Sequence, residues 1–148
     1  VASGRIRMQP ATLALIEARA RSENVSLRTA LGANITMNGD PTQLQQVLLN
    51  LFNNALDALG SIGQADKHID VCTRVLGDRL QLIVEDNGPG IPPLMQSSVF
   101  ELFKTTKADG MGVGLWLSKT VVNAHRGDIR FTSAAGHGTR FEVDLPLD

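Results

Sequence analysis

Between Gln43 and Asp57 six polar side chains, Gln43, Gln46, Asn50, Asn53, Asn54 and Asp57, recur at helical spacings, which on an α-helix gathers them to one side. A solvated face would account for them. Solvated faces are normally filled with Glu, Lys and Arg, however, because Asn is a poorer helix former by about 0.5 kcal/mol per residue. Asn50, Asn53 and Asn54 lie close together, a costly choice unless their amides are used. An amide oxygen is a hard, neutral ligand suited to Mg²⁺, which takes one or two protein ligands and completes its shell with water and phosphate oxygens. Metal or phosphate binding therefore stands beside solvation as a reading of this helix.

Two glycine clusters follow. Asp86-Asn87-Gly88-Pro89-Gly90-Ile91 is good turn chemistry. It also lets backbone approach a flat ligand, with a carboxylate placed to accept a hydrogen bond from an exocyclic amine. Gly110-Met111-Gly112-Val113-Gly114 runs into an apolar helical segment, so its N–H groups and the helix N-terminus form a nest for anionic oxygens. A Walker loop would need a closing Gly-Lys-Ser/Thr, and the dinucleotide fingerprint a wider last interval after a strand; neither is present. His125-Arg126-Gly127-Asp128 imitates a eukaryotic-type kinase catalytic loop, but Gly127 displaces the Asp. Between the clusters, Val99 to Lys107 places Phe100 and Phe103 before Thr105, Thr106 and Lys107. The Phe residues suit a core; flanked by glycine segments, they also suit the hook of a lid that brings Lys107 to phosphates.

The elements that must position these groups follow from periodicity. Leu13, Ile16 and Ala20 mark a helix over Pro10 to Ser22, and Val25 to Leu31 alternates as a strand. Asp40 is placed as an N-cap, with Pro41 at the first helical position and Gln43 where a capping box wants Glu or Gln. The helix it opens runs to about Leu59 on a stripe of Leu44, Leu48, Leu51, Ala55 and Leu59, and Gly60 and Gly63 stop it. Ile69 to Val75 and Leu80 to Val84 read as a hairpin around Gly77-Asp78. Helical spacing returns from Leu115 to His125, capped by Gly127. Ile129 with Phe131, and Phe141 to Leu145, form a second hairpin around Gly136-His137-Gly138. Helices interleaved with antiparallel hairpins predict an α/β (α+β) two-layer sandwich, with helices on one face of a mixed, mostly antiparallel sheet.

The 148 residues fit one domain spanning 1–148. Fourteen Lys and Arg against fifteen Asp and Glu, with no basic patch, argue against nucleic acid as a partner. Cys72 is the only cysteine, which excludes a disulfide framework and fits a reducing compartment. No apolar run approaches the ~20 residues that cross a bilayer. The chain starts without Met and reads as a fragment of a larger protein.

Together these segments resemble the ATP-binding (Bergerat-type) domain of sensor histidine kinases and, more distantly, of gyrase, heat-shock-90 and MutL-type ATPases. Gln45 to Ala55 looks like the N box, Asp86 to Ile91 the first glycine box, Val99 to Lys107 the F box, Gly110 to Leu115 the second glycine box, and Gly136 to Phe141 the final hairpin. The lid and the Asn-Ala-Leu-Asp-Ala helix look most like the nitrogen-regulation, oxygen-sensing and dicarboxylate-sensing branch. The resemblance implies a catalytic set of Asn50, Asn54 and Lys107, with Asn54 coordinating Mg²⁺ and Asn50 assisting. It further implies that Asp86 reads the adenine amine, with Thr139 in support through water. ATP would also be surrounded by Asp57, Gly88, Gly90, Ile91, Phe100, Thr105, Thr106, Lys107, Gly110, Met111, Gly112, Val113, Gly114 and Leu115.

Two departures qualify the resemblance. Hydrolytic relatives carry a Glu base where this chain has Asn50, and an amide cannot take a proton from water. Many sensor kinases have Lys or Arg where this chain has Asp57, which leaves Lys107 as the phosphate cation. The family's acceptor histidine lies in a His-Glu/Asp-x-x-x-Pro setting that His68, His125 and His137 lack. The implied partners are therefore an upstream dimerisation and phosphoacceptor domain and, indirectly, a response regulator, in a homodimeric and cytoplasmic or membrane-anchored parent. The rivals are an anti-sigma-type regulator that phosphorylates Ser and a hydrolytic ATPase switch.

Overall fold

The computed structural model describes residues 3–6, 10–31, 35–38, 40–60, 66–101, 112–134 and 136–147. Its strands are β1 (Ser3–Ile6), β2 (Ser26–Ala30), β3 (Ile35–Asn38), β4 (His68–Leu76), β5 (Arg79–Asp86), β6 (Asp128–Ala134) and β7 (Gly138–Pro146). Its helices are α1 (Pro10–Ser22), α2 (Pro41–Gly60), the single turn α3 (Pro93–Gln96) and α4 (Gly112–Ala124). Five strands form a mixed sheet in the order β2-β4-β5-β7-β6, in which only β2 and β4 run parallel. The architecture is the α/β sandwich that the interleaved pattern predicts. The small β1-β3 pair went unforeseen, because two four-residue strands are too short for alternation to stand out.

The α2 stripe is wider than the five residues singled out. Leu44, Leu48, Leu51, Ala55 and Leu59 are all buried, and so are Val47, Phe52 and Leu56. The helix lies in a trough formed by the sheet, α1 and α4, so more than one side of it is dry. Full burial of each Leu side chain stabilises by about 1.5–3 kcal/mol.

Helix ends are set by details that periodicity cannot resolve. Asp40 is the N-cap of α2 as expected, its Oδ1 accepting from the N–H groups of Thr42 and Gln43 at 3.0 and 3.2 Å. The capping box is not closed by Gln43, which is exposed. The Asp40 N–H donates instead to Nε2 of His125, at 3.0 Å, from the far end of α4. That acceptor role requires the proton on Nδ1, which lies 2.8 Å from the Val121 carbonyl and donates to it. At the end of α4 the left-handed residue is Arg126, φ 61°, and not Gly127. Arg126 N–H to Asn123 O and Gly127 N–H to Val122 O make a Schellman closure. Gly127 is needed for another reason: a Cβ there would lie 2.3 Å from the Asp144 carbonyl of β7. α1 closes in the same manner at Asn24, φ 58°.

Candidate functional site

Register places the sheet's helix-facing residues in rows. Val71, Val84, Phe141 and Phe131 are successive cross-strand partners over β4, β5, β7 and β6. One step further along, the row reads Ile69, Asp86, Thr139 and Ser133. The core face thus turns from apolar to polar within a single row, at the strand ends where the first glycine cluster begins. Asp86 and Thr139 are each 5% exposed, and buried polar groups of this kind persist only when hydrogen-bonded.

The Asp86 to Ile91 loop is stitched to the β6-β7 hairpin. Oδ1 of Asp86 accepts from Gly88 N–H at 2.8 Å. Asn87 bridges Asp66 O and His68 N–H, both at 2.8 Å. Gly136 N–H donates to Pro89 O, and Ile91 N–H donates to Ser133 Oγ at 2.7 Å. Gly138, at φ +89°, lets β7 pass so close that a Cβ there would lie 2.0 Å from the Asp86 carbonyl. Gly88 faces Ala58 and Leu59, so the end of α2 borders the same loop.

The amides of α2 diverge in partner. Asn50 donates from Nδ2 to Gly114 O and to Ser118 Oγ of α4, both at 3.3 Å, and its Oδ1 accepts from Gln46 at 2.9 Å. A flipped amide would set oxygen against the Gly114 carbonyl, so the donors fix which atom faces outward. Asn53 accepts from Arg19 of α1 and ties two helices together. Asn54 and Asp57 are half-buried on the side of the helix that the spacing indicated. Neutral amide oxygens beside a glycine-rich helix start fit a hard cation held mainly by water and phosphate. Among the described residues there is no group of three His, Cys, Asp or Glu that could hold a metal by itself.

The described part of the second glycine cluster, Gly112 to Gly114, is brought to this place, with a shift. α4 begins at Gly112 and not at Leu115, so Gly112, Val113 and Gly114 form its first turn. Helical periodicity cannot see glycine, which leaves no apolar mark. Leu115 and Ile91 pack against the core. Phe100 joins Phe131 and Phe141 in edge and tilted contacts at 5.9–6.2 Å, with Lys119 Nζ 5.2 Å from its ring centre. It is therefore an anchor on the apolar row beside the polar one. Thr105, Thr106, Lys107, Gly110 and Met111 lie outside the described residues. A groove of 740 Å³ lined by Ser97, Phe100, Glu101, Trp116, Lys119, Thr120 and Asn123 shares only Phe100 with the residues singled out.

Sequence reasoning missed Ser118 and Ser133. Ser133 was within reach, since it continues the alternation of Ile129 and Phe131; Ser118, 0% exposed, gives no local sign. On the opposite sheet face Arg130 pairs with Asp144 at 2.6 Å, Glu142 at 3.2 Å and Asp128 at 3.3 Å. The field of Asp144 above all raises its pKa from the ordinary arginine value.

The fold is that of histidine kinase catalytic domains. The nucleotide-free catalytic domain of histidine kinase ThkA superposes with a TM-score of 0.83 at 23% identity, covering 99% of this chain and 97% of that one. The mycobacterial sensor histidine kinase MprB gives 0.79 at 25%, covering 97% and 98%. A family model described as histidine kinase-, DNA gyrase B- and HSP90-like ATPase matches residues 39–148, and the chain belongs to that family. The signal transduction histidine-protein kinase AtoS of Escherichia coli (strain K12) is 39% identical over 139 residues, 93% of this chain and 22% of AtoS. The sensory histidine kinase/phosphatase NtrB of Salmonella typhimurium is 42% identical over 118 residues, 73% of this chain and 33% of NtrB. The sensor protein FixL of Bradyrhizobium diazoefficiens is 39% identical over 131 residues, 87% of this chain and 26% of FixL. The chain spans a fifth to a third of the length of these relatives, which are sensor kinases and sensor proteins by name.

Proposed function

We propose that this chain binds Mg-ATP and presents the γ-phosphate to a histidine on a separate dimerisation and phosphoacceptor domain of its parent, from which a response regulator is charged. The carrying observation is the polar row of Asp86, Thr139 and Ser133 at one end of an otherwise apolar sheet face. It adjoins a loop that reaches the end of α2, the helix that carries the Asn residues and is bonded to the glycine start of α4. In this reading Asp86 accepts from the adenine amine, and Gly88, Gly90 and Ile91 supply the backbone beside the base. Asn54, with Asn50, would hold Mg²⁺ through amide oxygen, and the ion would supply positive charge against the phosphates. The segment from Thr105 to Gly114, Lys107 above all, encloses the phosphates.

Asn50 speaks against a hydrolytic switch, since an amide whose N–H₂ already donates to Gly114 O and Ser118 has no means of taking a proton from water. No described helix is long and apolar enough to cross a membrane; the parent we envisage is a homodimer with this domain in the cytoplasm. Phosphoryl transfer depends mainly on positioning the nucleophile in line, so the chain alone binds nucleotide and transfers little. Calorimetric titration with ATP, with and without Mg²⁺, tests the reading. Saturable binding that weakens when Mg²⁺ is withdrawn is expected, and the absence of any affinity for adenine nucleotides overturns it.

A further inference from the structure

We propose that Ser133 is a specificity-determining residue, which holds the Thr139 hydroxyl as a hydrogen-bond acceptor beside Asp86 and so selects a purine that carries an amine at position 6. The inference rests on the reading that places adenine against Asp86.

Proton bookkeeping carries it. Ser133 Oγ has three polar neighbours: Ile91 N–H at 2.7 Å, the Gly138 carbonyl at 3.2 Å and Thr139 Oγ1 at 3.0 Å. The Ile91 amide can only donate and the Gly138 carbonyl can only accept. Ser133 has one proton, and the arrangement that satisfies all three contacts sends it to Gly138 O. The Thr139 hydroxyl must then donate to Ser133, which leaves Thr139 Oγ1 with lone pairs and no proton to offer. Thr139 is the register partner of Asp86, on the same side of the sheet and equally buried. A carboxylate and a proton-poor hydroxyl side by side form a surface of acceptors. Such a surface suits the 6-amino group of adenine and opposes the 6-oxo group of hypoxanthine or guanine. Without Ser133 the Thr139 hydroxyl turns freely and donates to an oxo group, so discrimination relaxes while the pocket persists.

The test compares ATP with inosine triphosphate, which replaces the 6-amino group by an oxo group, in calorimetric titrations of the purified 148-residue chain with Mg²⁺. Ser133→Ala is expected to narrow the ATP-to-inosine-triphosphate affinity ratio by about five- to tenfold, the worth of one hydrogen bond, chiefly by improving inosine triphosphate. Ser133→Thr, which keeps the hydroxyl, is expected to restore it. An unchanged ratio in Ser133→Ala, or an equal weakening of both nucleotides, overturns the proposal and leaves Ser133 a purely structural residue. Should Ser133→Ala not fold, Thr139→Val, which removes the acceptor and has no hydroxyl to donate, is expected to narrow the ratio chiefly by weakening ATP, and wild-type discrimination in that variant overturns the proposal as well. An unsubstituted chain that binds neither nucleotide removes the nucleotide reading itself, an outcome distinct from ATP binding with unaltered selectivity.

Discussion

Three asparagines close together on one helix face look equivalent in one dimension and are not so in three. Asn53 is committed to Arg19 of α1 and Asn50 to Gly114 and Ser118 of α4, and Asn54 follows Asn50 by one turn, half-buried like both. On the proposed reading, in which Asn54 is the metal ligand, Asn54→Ala is expected to weaken Mg-ATP binding by at least about tenfold in calorimetry. Asn53→Ala should lower stability by about 0.5–1.5 kcal/mol and leave Mg-ATP affinity intact; equal losses in affinity would refute the choice of ligand. Asp86→Ala is expected to erode the preference for ATP over GTP, since the carboxylate is the acceptor proposed to face the base. Unchanged selectivity would remove Asp86 from the adenine site.

Elements are fastened here by contacts that their own sequences do not advertise. The N–H at the start of α2 is satisfied by His125 at the end of α4 and not by Gln43. His125→Ala is accordingly expected to cost about 1–3 kcal/mol of unfolding free energy, because it strands a donor and empties a buried position. Gln43→Ala should stay within about 0.5 kcal/mol. Urea denaturation of both variants checks the contrast, and the reverse order would restore the local capping box. The β6-β7 turn offers a second contrast. Gly136, φ +78°, has open space around it, while Gly138 abuts the Asp86 carbonyl. Gly136→Ala carries backbone strain alone, about 1 kcal/mol. Gly138→Ala adds a clash with the strand that bears Asp86, and should both destabilise by more than about 2 kcal/mol and reduce nucleotide affinity.

At the scale of the molecule, the proposed ligand meets α2, the β4-β5 and β6-β7 hairpins and α4 at once, so binding must stabilise all of them together. Mg-ATP at a hundredfold excess over its dissociation constant is expected to add about 2.7 kcal/mol, a rise in melting temperature of roughly 5–10 °C for a domain of this size. EDTA should reduce most of that rise; a melting temperature indifferent to both would count against a bound Mg-nucleotide. Incubation with γ-labelled ATP is expected to leave the chain unlabelled. His125, for one, is buried with both ring nitrogens engaged.

What the chain determines locally was legible from it: the apolar stripes of α1 and α2, the Asp40 cap, both hairpins, and the asparagine and glycine clusters. These depend on neighbours a few residues apart, where period and turn chemistry act directly. The tertiary structure alone decided which polar group meets which. Ile91 finds Ser133 across 42 positions, Asn50 finds Gly114 across 64, and Asp40 finds His125 across 85. Such pairings are settled by strand register and by how helices seat on the sheet, and a buried polar atom takes whichever partner that packing brings within 3 Å or so. No local pattern encodes that choice, and so the candidate residues could be named from the sequence while the partners that hold them in place could not.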